Sequence, residues 1–443
     1  MNFETLKSGR TLVLGFGREG RALERAVVRR APDARIEVLC DRAPDVEPHD
    51  WPLRIGTPDS ISVAPDRVLR SPGVPVDLPA LVRWRAAGTP VTCISSLWFA
   101  ERPDARVVAV TGSKGKSTTA ALIAHLLAAD GKSVALGGNI GVPMLDLLED
   151  GSDWFVVELS SYQLADLHGH ASTAVITRLF PEHQDWHGGV ANYYAAKLRV
   201  ADLLDGGPLW INGADPVLAE AVSGLANVRP VNVEGGIRAE ADGIRCRGRR
   251  LLTAADSPLV GRHNLDNLAL ALAVVESIDG QLEPVAGRLA SFRPLPHRLE
   301  PVPGPAGTLW VNDSIATTPY ATLAALQASP PNPVLIVGGL ERGADWQMVA
   351  AFCRANPLSG LVGLPDNGPA ICRLVVEAGG VEVGRVSTAE NMVEAVAAAR
   401  SLSTPGGAIL LSPGAPSFPR FRDFEQRGNA FREAVGMLAE SNP

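Results

Sequence analysis

A glycine- and lysine-rich stretch near residue 110 carries the clearest chemistry in the chain. It reads Thr111-Gly112-Ser113-Lys114-Gly115-Lys116-Ser117-Thr118 and follows an apolar run. Between a strand and a helix, such glycines let backbone N–H groups approach phosphates, Lys116 adds positive charge and Ser117 can contact Mg²⁺. Two residues separate Gly112 from Gly115, fewer than the usual four of this motif. The stretch predicts a loop that binds nucleotide phosphates.

A second glycine turn, Gly15-Phe16-Gly17-Arg18-Glu19-Gly20, lies near the N-terminus, and Asp41 follows about 20 residues later. The pattern GxGxxG after a strand is typical of dinucleotide sites. The same turn could equally hold the diphosphate of a UDP-linked substrate. A dehydrogenase would not need the second phosphate loop at Gly112, which favours the UDP interpretation over a hydride-transfer cofactor.

Acidic and imidazole side chains follow two further apolar runs. Glu158 comes after the first, and Glu182-His183-Gln184-Asp185-Trp186-His187 comes after the second. Parallel strands deliver such residues to one crevice, where a carboxylate and an imidazole could serve Mg²⁺. The alternative is a solvated loop. Lys197, judged by its spacing alone, would be an ordinary exposed helix lysine.

Short apolar runs alternate with longer stretches of helical spacing, which predicts an α/β protein with doubly wound parallel sheets. Predicted strands cover residues 11–14, 36–40, 107–110, 155–157, 174–176, 333–339, 360–363 and 408–411, and predicted helices cover residues 21–30, 264–275 and 391–401. Proline-rich breaks at residues 102–104 and 292–296 suggest three domains, at residues 1–100, 101–297 and 298–443.

The composition excludes several classes of protein. The 443 residues include 41 Lys plus Arg and 48 Asp plus Glu, so the formal charge is 41 − 48 = −7, which argues against a nucleic-acid scaffold. A hydrophobic content of 46% excludes wholesale disorder. No apolar run reaches the roughly 20 residues that span a bilayer, and no secretory signal is visible, so a cytoplasmic protein is expected. Five scattered cysteines fit neither a disulfide framework nor a zinc site.

Taken together, these residues resemble the Mur ligases of peptidoglycan synthesis, and among them the glutamate-adding MurD type. The resemblance runs through nearly the whole chain. Besides the phosphate loop it includes Gly138-Asn139-Ile140-Gly141, Glu158-Leu159-Ser160-Ser161-Tyr162-Gln163-Leu164, Ala195-Ala196-Lys197-Leu198-Arg199, Pro296-His297-Arg298, Asn312-Asp313-Ser314, Leu411-Ser412-Pro413 and Phe424-Glu425-Gln426-Arg427-Gly428.

The resemblance implies three domains: an N-terminal Rossmann-like domain for the UDP substrate, a central P-loop ATPase-like domain and a C-terminal Rossmann-like domain for glutamate. It implies ATP, two Mg²⁺ ions and a lysine at position 197 that reacts with CO₂ to form a carbamate, a ligand of the second ion. The implied catalytic residues are Lys116, Glu158, His183 and Lys197, and the implied metal ligands are Ser117, Glu158, His183 and carbamylated Lys197.

The substrate contacts are implied in the same way. The residues implied for ATP are Gly112, Ser113, Lys114, Gly115, Lys116, Ser117, Thr118, Asn267, Arg298 and Asp313. Those implied for the UDP substrate are Gly15, Phe16, Gly17, Arg18, Asp41, Ser71, Pro72, Gly73 and Asn139, and those implied for glutamate are Thr317, Arg342, Ser417, Phe418 and Phe424.

The implied enzyme is a monomer that acts on UDP-N-acetylmuramoyl-L-alanine, glutamate and ATP through an acyl phosphate in cell-wall precursor synthesis, with no nucleic-acid or membrane partner. Gly15 to Ala22 resembles the subfamily that adds L-glutamate, and the chain departs from the usual glutamate pocket at Ile315, Arg342 and residues 418–421. L-glutamate is therefore expected. The alternatives are a conventional D-glutamate-adding enzyme, a folylpolyglutamate-synthase-like ligase and a non-catalytic nucleotide-binding regulator.

Overall fold

The computed structural model describes residues 1–44, 46–259, 261–279, 281–341 and 343–441. The chain divides into two compact units. Met1–Ser257 and Leu265–Phe292 form the first, and Pro258–Asn264 together with Arg293 onward form the second. The division after Phe292 falls within the proline-rich break expected at residues 292–296.

The first parallel sheet has the strand order β3-β2-β1-β4-β5, with β1 between β2 and β4. Because successive strands are added on opposite sides of β1, the loops after β1 and β4 open a crevice of the kind that binds ligands in such sheets. Its elements are α1 (Phe3–Leu6), β1 (Arg10–Leu14), α2 (Arg18–Arg30), β2 (Arg35–Cys40), β3 (Leu53–Ile55), β4 (Arg67–Arg70), α3 (Pro79–Ala86), β5 (Val91–Cys93) and α4 (Ser96–Glu101).

The second parallel sheet has the order β11-β10-β9-β6-β8-β7, and β6 lies between β8 and β9. The loop after β6 is therefore at the corresponding crevice. The elements are β6 (Arg106–Thr111), α5 (Lys116–Ala129), β7 (Val134–Gly138), β8 (Trp154–Glu158), α6 (Ser161–Leu164), β9 (Thr173–Ile176), α7 (Gln184–His187), α8 (Val190–Leu198), β10 (Leu209–Asn212), α9 (Pro216–Ala221), β11 (Val228–Val231), α10 (Arg262–Asp279) and α11 (Glu283–Arg288).

A small antiparallel sheet, which the apolar pattern did not reveal, follows the second sheet. It consists of β12 (Ile237–Glu240), β13 (Gly243–Cys246) and β14 (Arg249–Thr253). Its strands are short, and each contains at least one arginine, which makes them less apolar than the buried parallel strands. A search for continuous apolar runs, which are typical of buried parallel strands, therefore could not identify this small sheet.

The second unit contains a sheet of order β15-β16-β20-β17-β18-β19, which is parallel except for the edge strand β15. The elements are β15 (Glu300–Val302), β16 (Leu309–Asn312), α12 (Pro319–Ala328), β17 (Val334–Val337), α13 (Gln347–Ala355), β18 (Gly360–Gly363), α14 (Gly368–Glu377), β19 (Val386–Thr388), α15 (Met392–Leu402), β20 (Ala408–Leu411) and α16 (Phe424–Ser441). The predicted α/β class and each strand predicted from an apolar run are confirmed.

One apolar core runs through both parallel sheets of the first unit. It includes Val13 and Leu69 from the first sheet and Phe155 from the second. Trp98 of α4 lies between them, with its ring centroid 5.0 Å from that of Phe155. The shared core holds the two crevices of this unit in a fixed relation. The domain division at residue 100 remains a prediction.

No helix among the described residues is long and apolar enough to cross a membrane.

Phe155→Ala should lower the free energy of unfolding by about 3–5 kcal/mol, because it leaves a cavity beneath Trp98 in the shared core. Val142→Ala, at a side chain that is 42% exposed, is the control and should change it by less than about 0.5 kcal/mol. Urea unfolding followed by tryptophan fluorescence measures both. An equal loss of unfolding free energy in the two variants would contradict an apolar core that runs through both sheets.

Candidate functional site

The loop after β6 has the backbone geometry of a phosphate loop. Gly112 and Gly115 have φ values of 139° and 91°. A Cβ atom on Gly112 would lie 2.0 Å from Thr177 Oγ1, and one on Gly115 would lie 2.4 Å from Asn267 Oδ1. Only glycine fits either position, and the second approach places Asn267 beside the loop. The role of Asn267 as an ATP contact stays a prediction.

Hydrogen bonds from neighbouring segments hold this loop. Ser113 Oγ donates to the Phe180 carbonyl at 2.8 Å and accepts from the Phe180 N–H at 3.1 Å and the Tyr193 hydroxyl at 2.9 Å. Thr177 Oγ1 donates to the Lys114 carbonyl at 2.6 Å. A loop fixed in this way, at the N-terminus of the 14-residue helix α5, forms a positive site for an anion.

Two lysines lie at this loop. Lys116 Nζ donates to the Ser113 carbonyl at 3.0 Å, and Lys197 Nζ donates to the Gly112 carbonyl at 2.6 Å. Lys197 is 2% exposed, so its interpretation from spacing as an ordinary surface lysine is wrong: α8 packs that face inward, with Nζ 4.8 Å from the centre of the Tyr193 ring.

The surroundings of Lys197 favour the uncharged form of its amine. Burial, reinforced by the nearby charge of Lys116, lowers the pKa of Lys197 well below its usual value, and the carboxylates of Glu182 and Glu158 only partly oppose the shift. A neutral amine has a free lone pair, so Lys197 can act as a nucleophile toward an electrophilic carbon.

Glu158, the last residue of β8, is 1% exposed. Its Oε1 accepts a hydrogen bond of 2.6 Å from Asn139 Nδ2, whereas its Oε2 is buried with no hydrogen-bond partner among the described residues. Burying a carboxylate oxygen without a partner is costly, and a cation would remove that cost. The donor chemistry fits Mg²⁺, which prefers carboxylate oxygen.

Glu182 and His183 follow β9 and face the same loop. Lys114 Nζ lies 3.1 Å from Glu182 Oε1. Burial alone would raise the pKa of Glu182, but the nearby charges of Lys114 and Lys116 outweigh it and leave the pKa lowered. Burial lowers the pKa of His183, whose ring centroid is 4.9 Å from that of Tyr162. The lowered pKa favours the neutral imidazole of His183, which can act as a ligand or hydrogen-bond partner.

The protein's own side chains do not complete a metal site. Among the described residues, no three His, Cys, Asp or Glu side chains converge on a point that could hold an ion. Mg²⁺ is usually bound by one or two carboxylates together with substrate phosphates. Glu158 and the hydroxyl of Ser117, on the first turn of α5, fit such a partial set.

The first-sheet crevice holds the N-terminal glycine turn. Gly15 has a φ of 79°, and its carbonyl accepts a 2.9 Å hydrogen bond from Ser71 Oγ, so the loops after β1 and β4 touch. Asp41 follows β2 and is exposed. Phe16, expected at the UDP substrate, has its side chain buried against Trp51, with ring centroids 6.2 Å apart, which leaves only its backbone for a ligand.

Arg18 connects this crevice to that of the second sheet. Its Nη2 donates to the carbonyls of Gly138 and Asn139, at 3.2 and 2.7 Å. Asn139, expected near the muramoyl group, donates from its side chain to Glu158. The three residues form a continuous connection from the N-terminal glycine turn to the candidate metal ligand.

Sequence reasoning assigned no role to several residues of the site. Arg70 and Asp166 form a buried ion pair of 2.5 Å, and Glu19 accepts hydrogen bonds from Gln163 and Ser95. Burial raises the pKa of Glu19. An arginine as the last residue of β4, directly before Ser71-Pro72-Gly73, was the available signal for Arg70.

The second unit brings the predicted glutamate residues to one edge of its sheet. Thr317 follows β16 and Ser417 follows β20, which are adjacent parallel strands, and Phe424 begins α16. The Phe424 carbonyl accepts a 2.8 Å hydrogen bond from Ser314 Oγ. Phe418 is 58% exposed. Arg342, also predicted to bind glutamate, lies outside the described residues.

The ATP residues predicted near the start of this unit are held by its sheet. Asp313 follows β16, and its carboxylate accepts from the Leu299 N–H at 3.2 Å and from Ser412 Oγ at 2.9 Å. Arg298 directly precedes Leu299 in the chain and is half-buried. These two residues lie in one unit, whereas the phosphate loop and Asn267 lie in the other.

A cavity of about 510 Å³ opens beside Ser417, lined in part by Gly338, Gly339 and Arg427. Arg427 is 1% exposed, and its guanidinium donates to the carbonyls of Ser314 and Ala415, at 2.8 and 2.9 Å. Burial lowers the pKa of Arg427 to about 10. A buried guanidinium hydrogen-bonded to neutral oxygens favours an anionic ligand such as a carboxylate.

Comparison with known proteins identifies similar chains and folds. Residues 110–275 match the family model described as the Mur ligase middle domain. A UDP-N-acetylmuramoyl-L-alanine–L-glutamate ligase of a Micromonospora species is 40% identical over 98% of both chains. The enzyme of the same name from Salinispora tropica is 40% identical over 98% of this chain and 99% of its own.

Solved structures show the same fold at low sequence identity. MurF ligase from Thermotoga maritima, crystallised with ADP, has a TM-score of 0.62 and 15% identity, and the alignment covers 100% of this chain and 97% of that one. MurC from the same organism has a TM-score of 0.60 and 20% identity, with 98% and 100% covered. The described chain is therefore similar to these ligases over its full length.

Lys197→Met should flatten the dependence of stability on pH. Because the folded pKa of Lys197 is lowered, the unfolded chain binds one more proton between that pKa and about 10.4. The stability of the wild type should therefore rise with pH relative to the variant, by up to about 1.4 kcal/mol per pH unit. Urea midpoints between about pH 7 and pH 9.5 measure the difference.

Lys7→Met is the matched control, since Lys7 is exposed in the folded chain and its Nζ pairs with the exposed carboxylate of Glu4, at 2.6 Å. Parallel curves for the wild type and Lys197→Met would mean that Lys197 is charged in the folded protein.

Proposed function

This chain belongs to the Mur ligase family, in its glutamate-adding MurD type, and we propose that it joins L-glutamate to UDP-N-acetylmuramoyl-L-alanine. As a member of that type it is an ATP-dependent, ADP-forming ligase of peptidoglycan synthesis. The observation that carries the proposal is the convergence of Lys116, Lys197 and the partnerless oxygen of Glu158 around one phosphate loop.

The phosphate loop and Lys116 bind and neutralise the ATP phosphates in this proposal. The terminal carboxylate of the UDP substrate attacks the γ-phosphorus, ADP leaves, and an acyl phosphate forms. The glutamate amine then attacks the acyl carbon. The tetrahedral intermediate collapses to the amide and releases inorganic phosphate, with the amine proton passing to a base or to water.

Ser117, Glu158 and His183 are the residues that would hold Mg²⁺, which supplies positive charge to the phosphates when bound. The lone pair of Lys197 condenses with CO₂, and the product is a carbamate and one released proton. This converts a neutral amine into an anionic oxygen ligand beside Gly112. The lowered pKa of Lys197 supports the step, because only the neutral amine reacts.

The first-sheet crevice is the proposed site of the UDP moiety. Gly15 and Gly17 provide backbone at the N-terminus of α2, where the dipole favours a diphosphate. Asp41 lies one strand away, in the position at which Rossmann-like sites bind ribose hydroxyls. The loop Ser71-Pro72-Gly73 closes the other side.

Preference for L-glutamate rests on the relatives, whose names specify that enantiomer, and on the departures in the glutamate pocket. Ile315 stands where glutamate-adding relatives often have a lysine. Arg427, buried at the cavity beside Ser417, provides a guanidinium that can bind a glutamate carboxylate through two parallel hydrogen bonds.

The other candidate functions have less support. A folylpolyglutamate-synthase-like ligase lacks the N-terminal UDP-type region, and this chain has that sheet with its glycine turn intact. A non-catalytic regulator would not need Lys116, Glu158, His183 and Lys197, all of which are retained. A D-glutamate-adding enzyme differs only in the enantiomer, which a direct assay decides.

Purified protein should release phosphate from ATP when given UDP-N-acetylmuramoyl-L-alanine and L-glutamate, because the glutamate amine displaces phosphate from the acyl phosphate in each turnover. The same assay with D-glutamate is the matched comparison. Turnover confined to D-glutamate would overturn the proposed enantiomer but leave the ligase assignment intact.

Lys197→Ala should lower kcat by at least about a hundredfold, since it removes the proposed carbamate ligand. A short carboxylic acid such as acetate should restore part of the activity by occupying the vacated oxygen position. Lys116→Ala is the control, because an added carboxylate cannot replace a lost cation. Unchanged kcat in Lys197→Ala would remove this residue from the site.

A further inference from the structure

Arg70 is fully buried at the end of β4, where the first sheet opens its ligand crevice. The loop that follows it, residues 71–74, forms the wall of that crevice opposite the glycine turn after β1. Arginine is seldom buried in this way unless its donors are satisfied. The groups that satisfy Arg70 therefore indicate what the residue does.

One end of the guanidinium shapes the crevice wall. Arg70 Nη1 lies within hydrogen-bond distance of three loop carbonyls, at 3.1 Å from Ser71 O, 2.9 Å from Pro72 O and 2.7 Å from Val74 O. These contacts turn the loop around a single cationic centre. Ser71 Oγ in turn donates to the carbonyl of Gly15, which fixes the width of the crevice.

The other end of the guanidinium is anchored in the second sheet. Arg70 Nε and Nη2 bind the two carboxylate oxygens of Asp166, at 3.0 and 2.5 Å, and Nη2 also donates to the Tyr162 carbonyl at 2.7 Å. Asp166 and Tyr162 belong to the segment that follows β8, the strand that ends in Glu158. The planar fork of arginine matches this bidentate geometry, which lysine cannot reproduce.

Aromatic contacts extend the same connection to His183. Trp186 Nε1 donates to the Gly73 carbonyl at 3.0 Å, and the Trp186 ring lies 5.7 Å from the Arg70 guanidinium carbon. The ring of Tyr162 has its centroid 4.6 Å from that of Trp186 and 4.9 Å from that of His183. The loop after β4 and the segment that bears His183 are therefore both held by Arg70, Tyr162 and Trp186. We call Tyr162 and His183 together the Tyr162–His183 wall.

We propose that Arg70, anchored by Asp166, is a positioning residue that sets the shape of loop 71–74 and its spacing from the Tyr162–His183 wall. It does not touch the reacting atoms. It holds the crevice ready for the diphosphate end of the substrate while the other end reaches the phosphate loop. The substrate assignment rests on the proposed function.

The test compares Arg70→Lys with Arg25→Lys. Arg25, within α2, also makes a bidentate contact to an acidic residue of the second sheet's region, Asp146, at 3.0 and 2.6 Å, but its side chain is 51% exposed. Arg70→Lys keeps the charge and loses the fork. It should raise KM for UDP-N-acetylmuramoyl-L-alanine about ten- to hundredfold, as expected for losing one or two charged hydrogen bonds.

The KM for ATP should stay within about twofold in Arg70→Lys, because the hydrogen bonds of Arg70 go to loop 71–74 and to the segment after β8. A general structural defect would instead change every kinetic constant. Arg25→Lys should leave both KM values within about twofold. Calorimetric titration with UDP-N-acetylmuramoyl-L-alanine in the absence of ATP should give the same fold-change in Kd. Asp166→Asn, which retains one acceptor oxygen, should weaken binding in the same direction and decides the matter if Arg70→Lys does not fold.

If the wild type turns over but Arg70→Lys and Asp166→Asn bind the UDP substrate with unchanged affinity, the positioning role is overturned. A wild type and Arg25→Lys that both fail to bind the UDP substrate would instead overturn the proposed function. A drop in kcat alone, with KM unaltered, would also contradict a role in positioning.

Discussion

The hydrogen bond from Lys197 to the Gly112 carbonyl joins the phosphate loop to a buried site that also contains the candidate metal ligand Glu158. It requires α8 to present a lysine inward, which removes the ammonium from water and favours the neutral amine. Tyr193, four residues earlier on the same helix, fixes Ser113 in the loop. The loop, its helix and the wall that bears Glu182 and His183 are thus mutually dependent.

The topology of the sheets explains why there are two such crevices in the first unit. In each parallel sheet the strand order reverses at the strand that precedes a glycine loop, β1 in one and β6 in the other. Ligands bind outside the carboxyl ends of strands at such points. A shared apolar core holds the two sheets together, while Arg18 and Arg70 provide polar connections between their loops.

Local electrostatics resolve the apparent conflict between an acidic protein and phosphate-rich ligands. The net charge of −7 describes the whole chain, whereas the site concentrates Lys114, Lys116 and a helix N-terminus at one loop. Glu158 and Glu182 balance these charges and leave a carboxylate oxygen for a cation. The overall charge therefore excludes a polyanion scaffold but not a nucleotide.

Composition and spacing were enough to predict the α/β class, the strands around both glycine turns and the phosphate loop, because buried parallel strands and glycine turns depend on nearby residues. The resemblance to the Mur ligases added roles that spacing could not supply, above all for Lys197. Only the tertiary structure decided that Lys197 is buried, that Phe16 faces the core and that Arg70 pairs with Asp166, 96 residues away. Burial and ion pairing depend on which distant segments come into contact. The spacing of hydrophobic residues predicts which face of a helix or strand is buried, but not which other segment packs against that face.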